Sequence, residues 1–165
     1  MLLAGNQRII MGVSEFHVEE KIIKIREKHV IIDSDVAQLY GVETKRINES
    51  VSRNPEKFPS GYLIELTPEE WEPLKSQFAT SMKGGKIKLP TAFTEKGLYM
   101  LATILKSPMA TETTLAIVDT FTKVREIART IKSIPQTPQS SPKYQELMKK
   151  TGDLISELLT LRSHL

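Results

Sequence analysis

The order of apolar and polar positions first becomes regular at residue 21. In "KIIKIREKHVIID", two β-branched runs, Ile22–Ile25 and Val30–Ile32, flank a polar stretch, which predicts a β-hairpin. The period then changes from two to three and four. Val36, Ala37 and Tyr40 share one face of a short helix, with Asp33 or Ser34 as its side-chain cap and Gly41 as its end. Ile47 and Val51, one turn apart, predict a second helix over 44–53, which stops at Asn54 because a residue before proline is pushed out of the helical region.

Further along, "YLIEL" at 62–66 predicts a strand, and "TPEE" at 67–70 a helix start with Thr67 as cap, Pro68 at the first helical position and Glu70 closing a capping box. Pro73 bends or shortens that helix before Phe78. "KGGKIKLP" at 83–90 has the chemistry of a hairpin tip or flexible loop, a basic wing. Two helices follow. "FTEKGLYMLATIL" is capped by Thr94; the second is opened by Ser107 and Pro108 and carries Ile117, Phe121, Val124, Ala128 and Ile131 at steps of three and four. "PQTPQSSP" is too poor in apolar residues to pack and reads as a semi-rigid linker. Beyond it Tyr144, Leu147, Thr151, Leu154, Leu158, Leu161 and Leu165 alternate threes and fours, the spacing of a coiled-coil seam.

The pattern gives an α+β fold: an N-terminal β-hairpin, a helix-turn-helix-like pair with a basic wing or loop, further helices and a C-terminal coiled-coil-like helix. Its divisions are a flexible N-terminus at 1–19, a domain at 20–131, a Pro/Ser/Gln linker at 132–142 and an oligomerisation helix at 143–165. A seam of about three heptads is marginal alone, so Leu147, Leu154, Leu158 and Leu161 are expected to pair, most simply with a second copy as a homodimer. Docking of this helix on its own domain is the alternative.

Composition narrows the chemistry. The 165 residues contain no cysteine, which removes disulfides, thiol nucleophiles and thiolate metal sites. Neither a signal-peptide pattern nor a run approaching the roughly 18 apolar residues of a membrane span is present, so a cytoplasmic protein without a membrane partner is expected. The net charge is only +3, so an acidic partner has to meet a local basic patch.

That patch lies on the second helix. Opposite Ile47 and Val51 stand Lys45, Arg46, Glu49, Ser52 and Arg53, with Asn48 on the flank. Arginine can donate two parallel hydrogen bonds to guanine and asparagine to adenine, while Lys and Ser reach phosphates. The small Ala37 permits close helix contact and Gly41 a sharp turn, as a helix-turn-helix requires. The predicted DNA-binding set is Thr44, Lys45, Arg46, Asn48, Glu49, Ser52, Arg53 and Lys57, with Lys83, Lys86 and Lys88 on phosphates. The same charges also fit the solvated face of an amphipathic helix, pairing with Glu43, Glu49 and Glu56. Asn54, followed by proline, reads as a helix end rather than a base reader.

No catalytic set emerges. His17, His29 and His164 are dispersed and have neither metal nor relay spacing. "DSD" at 33–35 is not a calcium loop, because Gln38 stands where glycine is needed and Thr44 where a bidentate acid is needed. "KGGK" lacks the spacing and ending of a phosphate-binding loop. No enzyme, metal or cofactor is predicted.

The segments "DSDVAQLYGVETKRINESVSRNPEKFP", "LTPEEW", "LKSQFATS", "GG" and "LPTAFTEKGLYMLATIL" occur in an order that resembles the ORF-six-type N-terminal domain of phage regulators and antirepressors, a relative of the KilA-N and Bro-N domains. The resemblance covers about residues 20–130. Its matching positions are Leu39, Tyr40, Gly41, Val42, Thr44, Lys45, Asn48, Arg53, Asn54, Phe58, Pro59, Phe93, Thr94, Glu95 and Gly97. After the double glycine the chain has "KIKL", which keeps the charge and lacks the aromatic residue often found there. The resemblance implies an α+β DNA-binding domain of phage or mobile-element ancestry. The expected partner is double-stranded DNA read through the major groove; the alternative is an antirepressor-like module that binds a repressor or host regulatory protein without touching DNA.

Overall fold

The computed structural model describes residues 18–81 and 88–164. They fall into two compact units, one of residues 20–114 and one built on 115–164 together with 18–19.

The first unit is mixed α and β. A short helix α1 (Val18–Lys21) leads into β1 (Ile23–Ile25) and β2 (Lys28–Ile32). These strands form the expected hairpin, with Ile25 opposite Lys28. Its two-residue turn, Arg26–Glu27, has φ of 50° and 65°, the paired left-handed geometry that matches strand twist but usually recruits Asn or Gly. A tertiary clamp accompanies it. Arg26 Nε and Nη2 each donate to the Glu70 carboxylate at 2.8 Å, and Nη2 also donates to the Glu65 carbonyl at 3.2 Å. Through this pairing the Arg26 guanidinium lowers the Glu70 carboxyl to about 2.

Next come α2 (Asp33–Tyr40), α3 (Thr44–Arg53), a 3-10 turn at Pro55–Lys57, and β3 (Leu63–Glu65). The predicted capping box is present: Glu70 N donates to Thr67 Oγ1 at 3.2 Å, and Thr67 N to Glu70 Oε1 at 2.9 Å. The helix it opens, α4 (Pro68–Trp71), ends just before Pro73 and gives way to 3-10 geometry at Lys75–Ser81, as the missing proline N–H demands. β4 (Thr91–Thr94) then runs directly into α5 (Glu95–Leu105).

The four strands are antiparallel in the order β1-β2-β4-β3. β4 was not predicted. It pairs on both sides, and its Ala92, Phe93 and Thr94 are all buried, so no polar alternation marks it. One sheet face, formed by Ile25, Val30, Ile32, Ile64 and Ala92, packs with Leu66 and Trp71, and Phe78 closes on Trp71 at 5.5 Å. Strand alternation turns Ile31 and Phe93 to the opposite face, and β2 and β4 are in contact there with α2 and α5. Both side chains are fully buried.

Helix α6 (Pro108–Ser133) begins in the first unit, where Ser107 Oγ accepts from Ala110 N at 3.0 Å as its cap. It continues into the second unit, which also holds α7 (Pro142–His164). The predicted linker between them is turned rather than extended: Thr137 N donates to the Ile134 carbonyl and Ser141 N to the Pro138 carbonyl. Ser141 Oγ then caps α7 by accepting from Tyr144 N at 3.2 Å.

Candidate nucleic-acid interface

Helix α3 is separated from α2 by the three residues Gly41 to Glu43. Gly41 has φ 68°, and its N–H donates to Gln38 O while Val42 N–H donates to Ala37 O, so the last carbonyls of α2 are satisfied as the chain reverses. A side chain at Gly41 would meet nothing; the glycine is there for its backbone angle. Tyr40, just before the turn, is buried and hydrogen-bonded to Thr114 Oγ1, and burial pushes its phenol up to about 12. The turn is therefore anchored from beneath.

The faces of α3 are those the periodicity predicts. Ile47 is completely buried and Val51 half-buried, while Lys45, Arg46, Ser52 and Arg53 are exposed. Thr44, Asn48 and Glu49 are half-buried at the margin. Arg53 Nη2 pairs with Glu49 Oε2 at 3.3 Å in an exposed bridge of little energetic weight. Among the described residues neither Lys45 nor Arg46 forms an ion pair. Arg46 stands instead at the rim of two shallow depressions beside the turn: one of about 180 Å³ lined also by Tyr40, Val42, Leu105, Ser107 and Ala110, the other of about 380 Å³ lined by Gly41, Val42 and Glu43.

Asp33 differs from its expected role. No side chain caps α2, whose N-cap position is Ile32; the Asp33 carboxylate turns inward. Its Oδ2 accepts from Asn48 Nδ2 at 3.1 Å and from the Thr91 amide at 3.3 Å, tying α3 to the central strand β4. Burial raises its carboxyl pKa above the ordinary value, opposed by the Asn48, Thr91 and Ser34 hydrogen bonds and by the nearby positive charge of Lys88. Asn48, predicted to read a base, therefore spends an amide hydrogen on positioning the helix. The sequence offered no signal for this pairing beyond an acid at the start of α2. Asn54 has the structural role expected of it, with Nδ2 donating to Ser50 O at 2.8 Å.

Of the remaining predicted DNA contacts, Lys57 is half-buried and its ammonium donates to Thr103 Oγ1 on α5 at 3.2 Å. Lys88 is exposed and near enough to Asp33 to act on its ionisation, which brings the end of the basic segment close to the α3 anchor. Lys83 and Lys86 lie outside the described residues, as does the side chain of Leu161. In the second unit Leu147 and Leu154 are already buried within the single chain and Leu158 is half-buried. There the ammonium of Lys123 on α6 pairs with Glu157 on α7.

The "FTEKG" segment also has a structural meaning. Thr94 Oγ1 accepts from Gly97 N at 3.3 Å and lies 2.9 and 3.0 Å from the Gly61 and Tyr62 carbonyls, to which its hydroxyl donates. A Cβ on Gly97 would sit 2.2 Å from the Tyr62 carbonyl oxygen. Phe93 meets Phe58 edge-on at 6.3 Å. Residues 20–104 match the family profile of the ORF6N domain. No curated protein and no solved structure matches the chain.

Proposed function

The chain belongs to the ORF6N domain family, and from that premise we propose that it is a regulatory protein of phage or mobile-element origin that binds double-stranded DNA sequence-specifically, with α3 in the major groove. The observation that carries this reading is the division of α3. Ile47 is wholly buried, while Lys45, Arg46, Ser52 and Arg53 face outward behind a three-residue turn. A helix so anchored can insert its outer side chains between the phosphate strands without exposing its own packing face. Lys45 and Arg46, which form no ion pair among the described residues, lie in its first turn, the end that contacts base edges in helix-turn-helix proteins. Lys88 supplies positive charge beside the anchor and suits a phosphate, which fixes register without reading sequence.

The test begins with fragments selected by the protein from a random DNA pool. Arg46→Ala combined with Arg53→Ala is expected to abolish preference for the selected fragments while the circular dichroism spectrum stays unchanged. Wild-type affinity should fall steeply with salt as counterions are released from DNA. A shallow salt dependence, or undiminished affinity in the double variant, refutes the reading and favours a protein partner on the same face.

A further inference from the structure

Four exposed lysines of this chain are neutralised locally: Lys24, Lys75, Lys143 and Lys149 each pair with an acid three or four positions away, at 3.1, 3.8, 3.7 and 3.6 Å. Three lysines around α5 break this pattern. Lys57, Lys96 and Lys106 have no acid at those positions, and among the described residues none of them forms an ion pair. Glu56 and Glu95 stand one step from Lys57 and Lys96, a spacing at which helical side chains do not face each other.

The fold gathers these charges along one side of α5. Gly97, Leu98 and Leu101 are its buried residues. Opposite them Lys96, Tyr99 and Thr103 are all exposed and lie within about 60° of one another around the helix. Thr103 Oγ1 accepts from Lys57 Nζ at 3.2 Å, so the lysine that follows α3 stands at the same face. An ammonium has three donors, and this bond uses one. Lys96 Nζ lies 5.9 Å from the centre of the Tyr62 ring, over its face. Lys106 closes the helix, exposed, with φ 27°, in the left-handed region that favours glycine. Its neighbours Leu105 and Ser107 line the depression rimmed by Arg46, which sets its charge beside the first turn of α3.

We propose that this face of α5 is a backbone clamp: Lys57, Lys96 and Lys106, with the Tyr99 hydroxyl, hold phosphates of one DNA strand while α3 occupies the adjoining groove. The clamp rests on the reading of α3 given above and extends it to a second helix. Three features select phosphate as the occupant. The side chains are lysines and a tyrosine, donors suited to phosphate oxygens in any sequence. Their charge is uncompensated, whereas a protein interface is depleted in lysine at its core and supplies apolar anchors, of which this face has only the Tyr99 ring, 49% exposed. The face is also continuous with α3, through Lys57 at one point and Lys106 beside Arg46 at another. From Lys96 to Lys106 the helix covers about 15 Å, enough to follow several phosphates of a strand.

The test measures binding of the full chain to a fragment it selects and to an unrelated fragment, across a range of salt. Lys57→Gln, Lys96→Gln and Lys106→Gln together should weaken both fragments equally, by about tenfold or more at low salt, and make the log–log salt slope shallower by about three. The corresponding triple arginine variant, which keeps the charge, should restore the slope. Lys106→Gly alone removes one charge where glycine suits the backbone, so its expected loss of about fivefold on both fragments is not a loss of fold. A wild type with steep salt dependence whose triple glutamine variant keeps the same slope overturns the clamp and leaves the reading of α3 standing. A changed preference between the two fragments overturns it too, because these residues would then read bases. A wild type with a shallow salt slope refutes the reading of α3 and the clamp with it, and gives the face to an acidic protein surface.

Discussion

Helices α3 and α5 touch each other in the first unit, yet they are held in opposite ways. α3 hangs on one fully buried side chain, Ile47, and on the Asn48–Asp33 hydrogen bond, and everything else on it faces outward or lies at the margin. The start of α5 is locked by backbone: Thr94 bonds two carbonyls, and Gly97 lies where any side chain would collide with Tyr62. The residues matched in the ORF6N-like motifs thus fall into two kinds. Thr94, Gly97, Phe93, Tyr40 and Gly41 are required by packing and backbone geometry, whereas Lys45 and Arg53 have no packing duty that would explain them. A residue that the fold does not need is where function is sought.

The first way to break this comparison is to unseat α3. Ile47→Asp places an unpaired charge in a site with no accessible surface and is expected to cost about 5 kcal/mol, enough to unfold the helix pair. Urea denaturation followed by circular dichroism measures it. A soluble variant with wild-type midpoint would mean that the buried and outer faces of α3 are reversed.

Gly97→Ala comes next, with an expected loss of about 3 kcal/mol, since the Tyr62 carbonyl must move by more than half an ångström to admit a methyl group. Gly41→Ala tests the other kind of glycine: space is open there, and only the positive φ is strained, so the cost should be nearer 1 kcal/mol. Equal costs at the two positions would show that α5 relaxes easily and is not locked by its backbone.

Arg46→Ala sharpens the functional half of the comparison. Stability should change by less than about 0.5 kcal/mol, as for other exposed side chains, while binding to a selected DNA fragment weakens by about 2 kcal/mol, roughly thirtyfold. Arg53→Ala should cost less binding, because its guanidinium is already shared with Glu49. Fluorescence anisotropy on both variants checks the order, and a larger loss at Arg53 would move the reading end of α3 to its C-terminus.

Local chemistry made most of the fold legible. Pro and Gly punctuation, the Thr67–Glu70 box and the Thr94 and Ser107 caps act within a few residues of themselves, so the helices and the hairpin could be read directly. What escaped was decided at a distance. β4 is short and buried on both faces, so it has no alternation to display. Asp33 finds partners 15 and 58 positions away, and nothing local separates such an acid from a helix cap. The outer face of α3 was legible because one buried isoleucine fixes the rotation of the whole helix. The leucine seam of α7 was visible too, but periodicity cannot tell a stripe covered by the same chain from one that awaits another.

Asp33 also supplies the smallest expected effect, and its sign is fixed by burial. Desolvation raises its folded-state pKa above the value near 3.8 of the unfolded chain, despite the opposing hydrogen bonds and Lys88. A carboxyl group shifted this way binds its proton more tightly when folded. Its contribution to stability is therefore fully present below the unfolded pKa and is lost as pH rises through the folded one. Asp33→Asn keeps one oxygen to accept from Asn48 or Thr91 but cannot ionise, so it should lie within about 1 kcal/mol of wild type at pH 7. As pH falls toward 4, the wild type should gain on the variant. Glu70, lowered by Arg26, responds alike in both proteins and cancels; Asp35, raised chiefly by burial but also by the Asp33 charge that the variant removes, adds to the difference in the same direction as Asp33 itself. Urea midpoints of the two proteins between pH 4 and 7 test it. If the wild type instead loses ground on acidification, the Asn48 and Thr91 hydrogen bonds outweigh desolvation, and the anchor of α3 requires an ionised carboxylate.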